Sequence, residues 1–239
     1  MAKKKTDYQE PEASRFKKDR GSLLGIPLSD NPEQRELAKY LRDPNYPIVY
    51  CFGDAGTGKT LIATAVGIEQ KKVYRAYDKV LYVREPLEVG ASLGFLPGTV
   101  DEKYGAYMGG LYDNIRVIAS YSGFNENNLR ESVECVPPQY MRGRSLESTY
   151  VIVDEAQNLN LLSIRTLLTR MGRGGKIVLL GSENQVDIKN WKGGETDFGK
   201  SYGILSKFGF VARVDLVKSE RSDYCALIDG AFGDYLAGR

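Results

Sequence analysis

The chain of 239 residues contains no histidine. That absence excludes serine and cysteine hydrolases built on a histidine base, and zinc sites that need an imidazole ligand. Any general base must be a carboxylate, a lysine or a tyrosine. Cysteine is scarce: Cys51, Cys135 and Cys225 are far apart and lack metal-ligand spacing. With no apolar signal stretch, such usage is expected of a reducing cytoplasm. No apolar run approaches the ~20 residues of a membrane span, so no membrane partner is expected. Net charge is only +2, which provides no general field for nucleic acid. The charge is uneven, however: Lys3, Lys4, Lys5, Arg15, Lys17, Lys18 and Arg20 crowd the first twenty residues. Residues 1–21 read as a basic disordered arm, either a solvated tail or a holder of phosphate backbones.

What is present centres on one octapeptide. Residues 53–60 read GDAGTGKT, which fits G-x-x-x-x-G-K-[ST]. Gly53, Gly56 and Gly58 allow a tight turn and close approach to phosphate oxygens. Asp54, Ala55 and Thr57 complete the loop that wraps the nucleotide. Lys59 reaches the β- and γ-phosphates, and the Thr60 hydroxyl suits Mg²⁺. The context agrees. An apolar run, Pro47 to Phe52, precedes the loop and a helix-compatible segment follows from Thr60. Strand, glycine loop and helix start, in that order, aim a helix dipole at an anion.

Composition suits one domain with extensions, since 42% hydrophobic and 27% charged content is ordinary for a globular chain. Asp30 or Asn31 before Pro32 and Glu33 signals a helix through Leu37 and Leu41 to the break at Asp43-Pro44. Further strands are expected around 80–83, 149–153, 177–180 and 211–214. Leu161, Ile164, Leu168 and Met171 form a helical stripe ended by Gly172. A last stripe, Tyr224, Leu227, Ile228, Ala231 and Tyr235, suggests a closing helix. Apolar strands alternating with helices imply an α/β fold, a mostly parallel sheet covered on both faces. Residues 86–144, rich in Gly and Tyr with weaker periodicity, read as a small insertion beside the nucleotide core. Within them Tyr104, Tyr107, Leu111, Ile115 and Ile118 fit one helix face.

Val151 to Glu155 is an apolar strand ending in two acids. In a phosphate-loop protein this strand is expected beside the loop. Asp154 then holds Mg²⁺ through water, and Glu155 polarises the attacking water. That second acid favours hydrolysis over a small-molecule kinase, where water must be kept out. A further strand runs into Gly181-Ser182-Glu183-Asn184-Gln185, whose Gln185 amide is either a γ-phosphate sensor or part of a polar turn.

Three blocks together resemble the PhoH family of P-loop ATPases, relatives of the superfamily 1 helicase core. They are GDAGTGKT at 53–60, REPLEVGASLGFLPGTVDEKYGAY at 84–107, and MRGRSLESTYVIVDEAQN at 141–158, followed by LLTRMG at 167–172 and GSENQVD at 181–187. The resemblance covers roughly residues 30–235, within a domain taken as 22–239. It implies ATP and Mg²⁺ as cofactors, hydrolysis to ADP and phosphate, and a RecA-like core. It also implies association with RNA or single-stranded DNA and a hexameric ring of identical subunits. Asp154, Glu155 and Gln157 fall in the family's DEAQ box, and Gln185 in its third helicase-like motif. Gln34 is similar to the adenine-reading glutamine of helicase relatives. Arg221 matches a family arginine that meets the γ-phosphate. Arg142 and Arg144 belong to an RGR block that serves phosphate, neighbour or nucleic acid.

Two departures stand out. Glu85 separates Arg84 from Pro86, where the family has arginine directly before proline. Ser182 replaces the acid of the family's Gly-Asp. There is no room for the PIN nuclease of some relatives, so nuclease activity is not expected. The short form resembles phage-type members, which implies a bacterial host cytoplasm.

Two functions compete. One is an ATP-hydrolysing, nucleic-acid-associated oligomer, because one core alone must take its arginine finger from Arg221 or from another subunit. The other, motivated by Ser182 and Glu85, is an ATP-dependent switch or interaction module with little turnover. Local support for nucleic acid comes from the basic arm, Arg165, Arg170, Arg173, Lys176 and the tyrosines.

Overall fold

Alternation along the strands decides the architecture. In a computed structural model that describes residues 22–86, 108–185, 194–220, 224, 227 and 228, six strands form one parallel sheet. The basic arm, the block 87–107, residues 186–193, Arg221 and most of the last apolar stripe lie outside the described residues.

In chain order, a short pair β1 (Ser22–Leu23) and β2 (Ile26–Pro27) precedes α1 (Pro32–Arg42). Then come β3 (Ile48–Gly53), α2 (Lys59–Lys72) and β4 (Lys79–Arg84). The segment expected beside the core contributes α3 (Gly109–Ser122), α4 (Glu126–Arg130) and β5 (Val133–Val136). The chain continues through β6 (Thr149–Asp154), α5 (Leu161–Leu168), β7 (Lys176–Gly181), α6 (Asp197–Leu205) and β8 (Val211–Leu216). The strand order is β5-β4-β6-β7-β3-β8, with every pairing parallel.

Two features differ from the sequence expectation. The acidic strand β6 is not next to the loop strand β3, because β7 lies between them. Part of 86–144 belongs to the sheet itself, since β5 pairs with β4 as the edge strand. Its two buried residues, Val133 and Val136, lie three apart and face opposite layers, so no alternation marks this short strand in the sequence.

Successive residues face opposite layers. Val49 and Cys51 of β3 join a core shared with α1, α2 and α3, whereas Ile48, Tyr50 and Phe52 face α5 and α6. Helices therefore cover both faces, as a buried parallel sheet requires. The central helix α2 is buried from Ile62 to Gln70, so it is enclosed rather than amphipathic. Gly67 is its point of closest approach: an added Cβ would lie 2.9 Å from the Tyr150 ring. Buried Glu69 on the same helix is held by the Arg42 guanidinium at 2.7 Å.

Lys176 was a nucleic-acid candidate and is not on the surface. It is 1% exposed, and its ammonium donates to the Tyr40 and Asp43 carbonyls at 2.8 Å each. A cation there satisfies open carbonyls at the C-terminus of α1. Burial lowers its pKa from 10.5 to about 8, while Asp43 acts in the opposite direction. The folded chain then releases this proton before the unfolded chain does. The lysine's contribution is therefore constant below pH 8 and rises as pH climbs toward 10.5. Denaturant unfolding of wild type and Lys176→Met is expected to show the difference moving in favour of wild type across that window, by up to about 1.4 kcal/mol per pH unit. A difference that stays flat contradicts the assignment.

Candidate functional site

The site forms where β3, β6 and β7 end. The loop after β3 climbs into α2, whose N-cap is Gly58 at φ 89° and has no side-chain cap. By contrast α1, α5 and α6 are capped by Asn31, Asn160 and Thr196. The amides that open α2 therefore keep their capacity for an anion.

Several contacts shape the loop. The Thr57 hydroxyl donates to the Asp54 carbonyl at 2.9 Å, and the buried Gln34 amide donates to the Thr57 carbonyl at 3.0 Å. Gln34 thus braces the loop from α1. The Lys59 ammonium lies on the loop's own Gly53 and Asp54 carbonyls, at 2.5 and 2.9 Å. The Glu220 N–H donates to the Gly56 carbonyl at 2.9 Å, and its carboxylate accepts from Asn31 at 2.7 Å. The segment after β8 is thereby brought to the loop just before Arg221, which lies outside the described residues.

Across β7, Asp154 meets the start of α2. The Thr60 hydroxyl donates to Asp154 Oδ1 at 3.0 Å. Mg²⁺ takes one or two protein oxygens and completes its shell with phosphates and water. Thr60 and buried Asp154 offer that pair of hard donors, so the residues fit this ion. The other Asp154 oxygen, Oδ2, accepts from the Tyr82 phenol at 2.5 Å. Burial, and then Asp154, push the Tyr82 phenol well above its ordinary pKa, so it remains a neutral donor. The Arg84 guanidinium stands 4.0 Å from both Asp154 and Glu155. Neither Tyr82 nor Arg84 was singled out as a site residue in the sequence. In the sequence Arg84 stands out only as the arginine set apart from Pro86 by Glu85, and Tyr82 not at all; register with the acidic strand places both.

Glu155 follows at φ 51°, a left-handed conformation that a non-glycine residue holds only under constraint. Its side chain is 36% exposed, open to water, and it accepts from the Gln157 amide at 2.6 Å. Buried Gln157 is a junction. Its amide also donates to the Gln185 carbonyl at 2.8 Å, and its oxygen accepts from the Ser182 N–H at 3.1 Å. Gln185 in turn accepts from the Ala55 N–H at 3.1 Å, so it touches the loop directly. The Ser182 hydroxyl donates to the Asp54 carboxylate at 2.7 Å, joined by the Asn184 amide. A carboxylate at 182 would face Asp54 with like charge. The hydroxyl and Asp54 therefore belong together.

Fold and site define a P-loop nucleotide-binding protein with a parallel α/β core. The family model for PhoH-like protein matches residues 28–228, and the chain belongs to that family. Protein PhoH2 of Bacillus subtilis (strain 168) is 37% identical over 166 residues, covering 66% of this chain and 36% of the relative. PhoH2 of Mycolicibacterium smegmatis is 37% identical over 199 residues, 82% of this chain and 45% of the relative. The PhoH-like protein of Synechocystis is 34% identical over 159 residues, 66% of this chain and 48% of the relative. The chain thus spans less than half the length of each. Among solved structures, the arterivirus nonstructural protein 10 helicase with DNA gives a TM-score of 0.42 at 16% identity, covering 81% of this chain and 42% of that one. Pif1 helicase from Candida albicans gives 0.41 at 17%, covering 83% and 42%.

The loop conformation can be tested without ligand. An alanine Cβ at Gly58 would lie 2.5 Å from the Gln34 amide nitrogen, on a backbone of positive φ. Gly58→Ala is expected to lower unfolding stability by about 1–2 kcal/mol from backbone strain alone. Unchanged denaturant midpoints in nucleotide-free buffer contradict this geometry.

Proposed function

We propose that the chain binds ATP with Mg²⁺ and hydrolyses it to ADP and phosphate. The observation that carries the reading is the 3.0 Å contact between Thr60 and Asp154, with Glu155 next in sequence and open to water. Loop amides and Lys59 hold the β- and γ-phosphates, with Gly53 to Thr60 forming the cradle. Lys59 exchanges its present carbonyl partners for phosphate oxygens. Thr60 and Asp154 would hold Mg²⁺, which would neutralise phosphate charge there. Glu155 accepts the proton of the attacking water, oriented by Gln157. Gln185 senses the γ-phosphate through its seat on the loop, and Arg221 serves as the arginine finger.

The chain acts as a ring of identical subunits, a hexamer by family resemblance, on RNA or single-stranded DNA. Among the described residues β8 is an edge strand, and Ile204, Phe208 and Phe210, exposed in the helix and turn that lead into it, offer an apolar surface compatible with self-association. Support for nucleic acid comes from exposed Tyr140, Arg142, Leu162 and Arg165 around α5 and the 3₁₀ turn Pro138–Met141. Arg144 contributes less, because Glu134 pairs with it at 2.9 Å. A cytoplasmic setting, in a bacterial host if phage-encoded, belongs to the same proposal.

The second reading, a switch with little turnover, is favoured by the resting contacts of Lys59 and Gln185 on the loop. Phosphate release separates the two. Glu155→Gln is expected to cut turnover by about 10²–10⁴ while ATP affinity holds. Equally slow hydrolysis by wild type and variant selects the switch. For nucleic acid, binding of single-stranded RNA is expected to weaken steeply with salt, as phosphate contacts demand. Salt-independent affinity argues against that limb.

A further inference from the structure

We propose that Tyr82 is a positioning residue for the metal-binding carboxylate, fixing one Asp154 oxygen so that the other stays turned toward Thr60. The inference rests on the reading of Thr60 and Asp154 as the magnesium pair. Strands β4 and β6 run in register, with Tyr82 opposite Ile152 and Arg84 opposite Asp154. Alternation sends the Tyr82 side chain into the α2 layer, where Asp154 reaches Thr60.

The ring of Tyr82 is 1% exposed, and packing alone would be served by phenylalanine. A hydroxyl at this depth is costly to bury unless bonded. It is bonded to Asp154 Oδ2. The two oxygens of one carboxylate thus have separate partners, the phenol on Oδ2 and the threonine hydroxyl on Oδ1. Without the phenol, the carboxylate is free to turn about its last bond and Oδ2 is left buried without that donor. Arg84 completes the arrangement, because its guanidinium lies between the two acids at 4.0 Å from each and offsets their mutual repulsion. Outer partners of this kind orient a metal ligand, and their removal typically weakens metal affinity about 10–100-fold.

The test is Mn²⁺ affinity, read by electron paramagnetic resonance in the complex with a non-hydrolysable ATP analogue. Tyr82→Phe is expected to weaken Mn²⁺ about 10–100-fold while affinity for the analogue in EDTA stays at the wild-type value. A melting curve establishes that the variant is folded. Wild-type Mn²⁺ affinity in folded Tyr82→Phe overturns the proposal, as does an equal loss of metal-free analogue binding. If Tyr82→Phe is unfolded, tyrosine fluorinated beside its hydroxyl at position 82 keeps the packing and alters only the donor: a changed Mn²⁺ affinity supports the proposal and an unchanged one overturns it. A wild-type protein that takes up no analogue at all fails one level lower, at the nucleotide site itself.

Discussion

One contact makes a site out of two separate strand ends: the Thr60 hydroxyl on Asp154 Oδ1, formed over the top of β7. Its requirements explain much of the fold. Thr60 must stand in the first turn of α2, so the loop must deliver that helix without a side-chain cap. Asp154 must end a strand whose pleat points the carboxylate to the same layer. A parallel sheet meets both conditions, because every strand ends at the same edge. Buried apolar residues on both faces then hold the two strand ends fixed relative to each other.

Around that contact the polar groups form a closed circuit instead of a set of independent residues. Glu155 is held by Gln157, Gln157 by the segment after β7, and that segment by the loop through Gln185 and Ser182. Displacing Gln185 from the Ala55 N–H would therefore be felt at Glu155 through two hydrogen bonds. The centre of that path, Gln157 with Ser182, is buried, whereas its two ends at Ala55 and Glu155 meet water. Ser182 is the informative member. It departs from the acid of the family pattern, yet the carboxylate it lacks is present opposite, at Asp54 in the loop. Charge near the loop is retained while its bearer differs.

The loop and the principal strands were legible in the sequence because glycine spacing and apolar runs are local signals. Asn31 and Pro32 marked the start of α1 for the same reason. What escaped depended on distant partners. Helix α6, DFGKSYGIL, carries two glycines and weak propensity, and forms because Thr196 caps it and Phe198 packs 4.4 Å from the Phe52 ring. The stripe read to Met171 ends as a helix at Leu168, after which Met171 bridges to Leu146. Lys176 looked like a surface cation because no local pattern announces carbonyls supplied from 133 and 136 residues away. Tyr82 was silent, and Arg84 marked only by its separation from Pro86, until strand register set them beside the acids. Gln34 was marked by resemblance to helicase relatives, and its seat under Thr57 was visible only in three dimensions.

The most direct measurement is a calorimetric titration of the purified chain with ATP, in Mg²⁺ and again in EDTA, alongside Thr60→Ala and Asp154→Ala. Saturable uptake is expected, with both variants losing the part of the affinity that depends on magnesium and keeping the metal-free part. No saturable uptake by wild type, or variants that bind Mg²⁺-ATP as tightly as it does, would contradict the account.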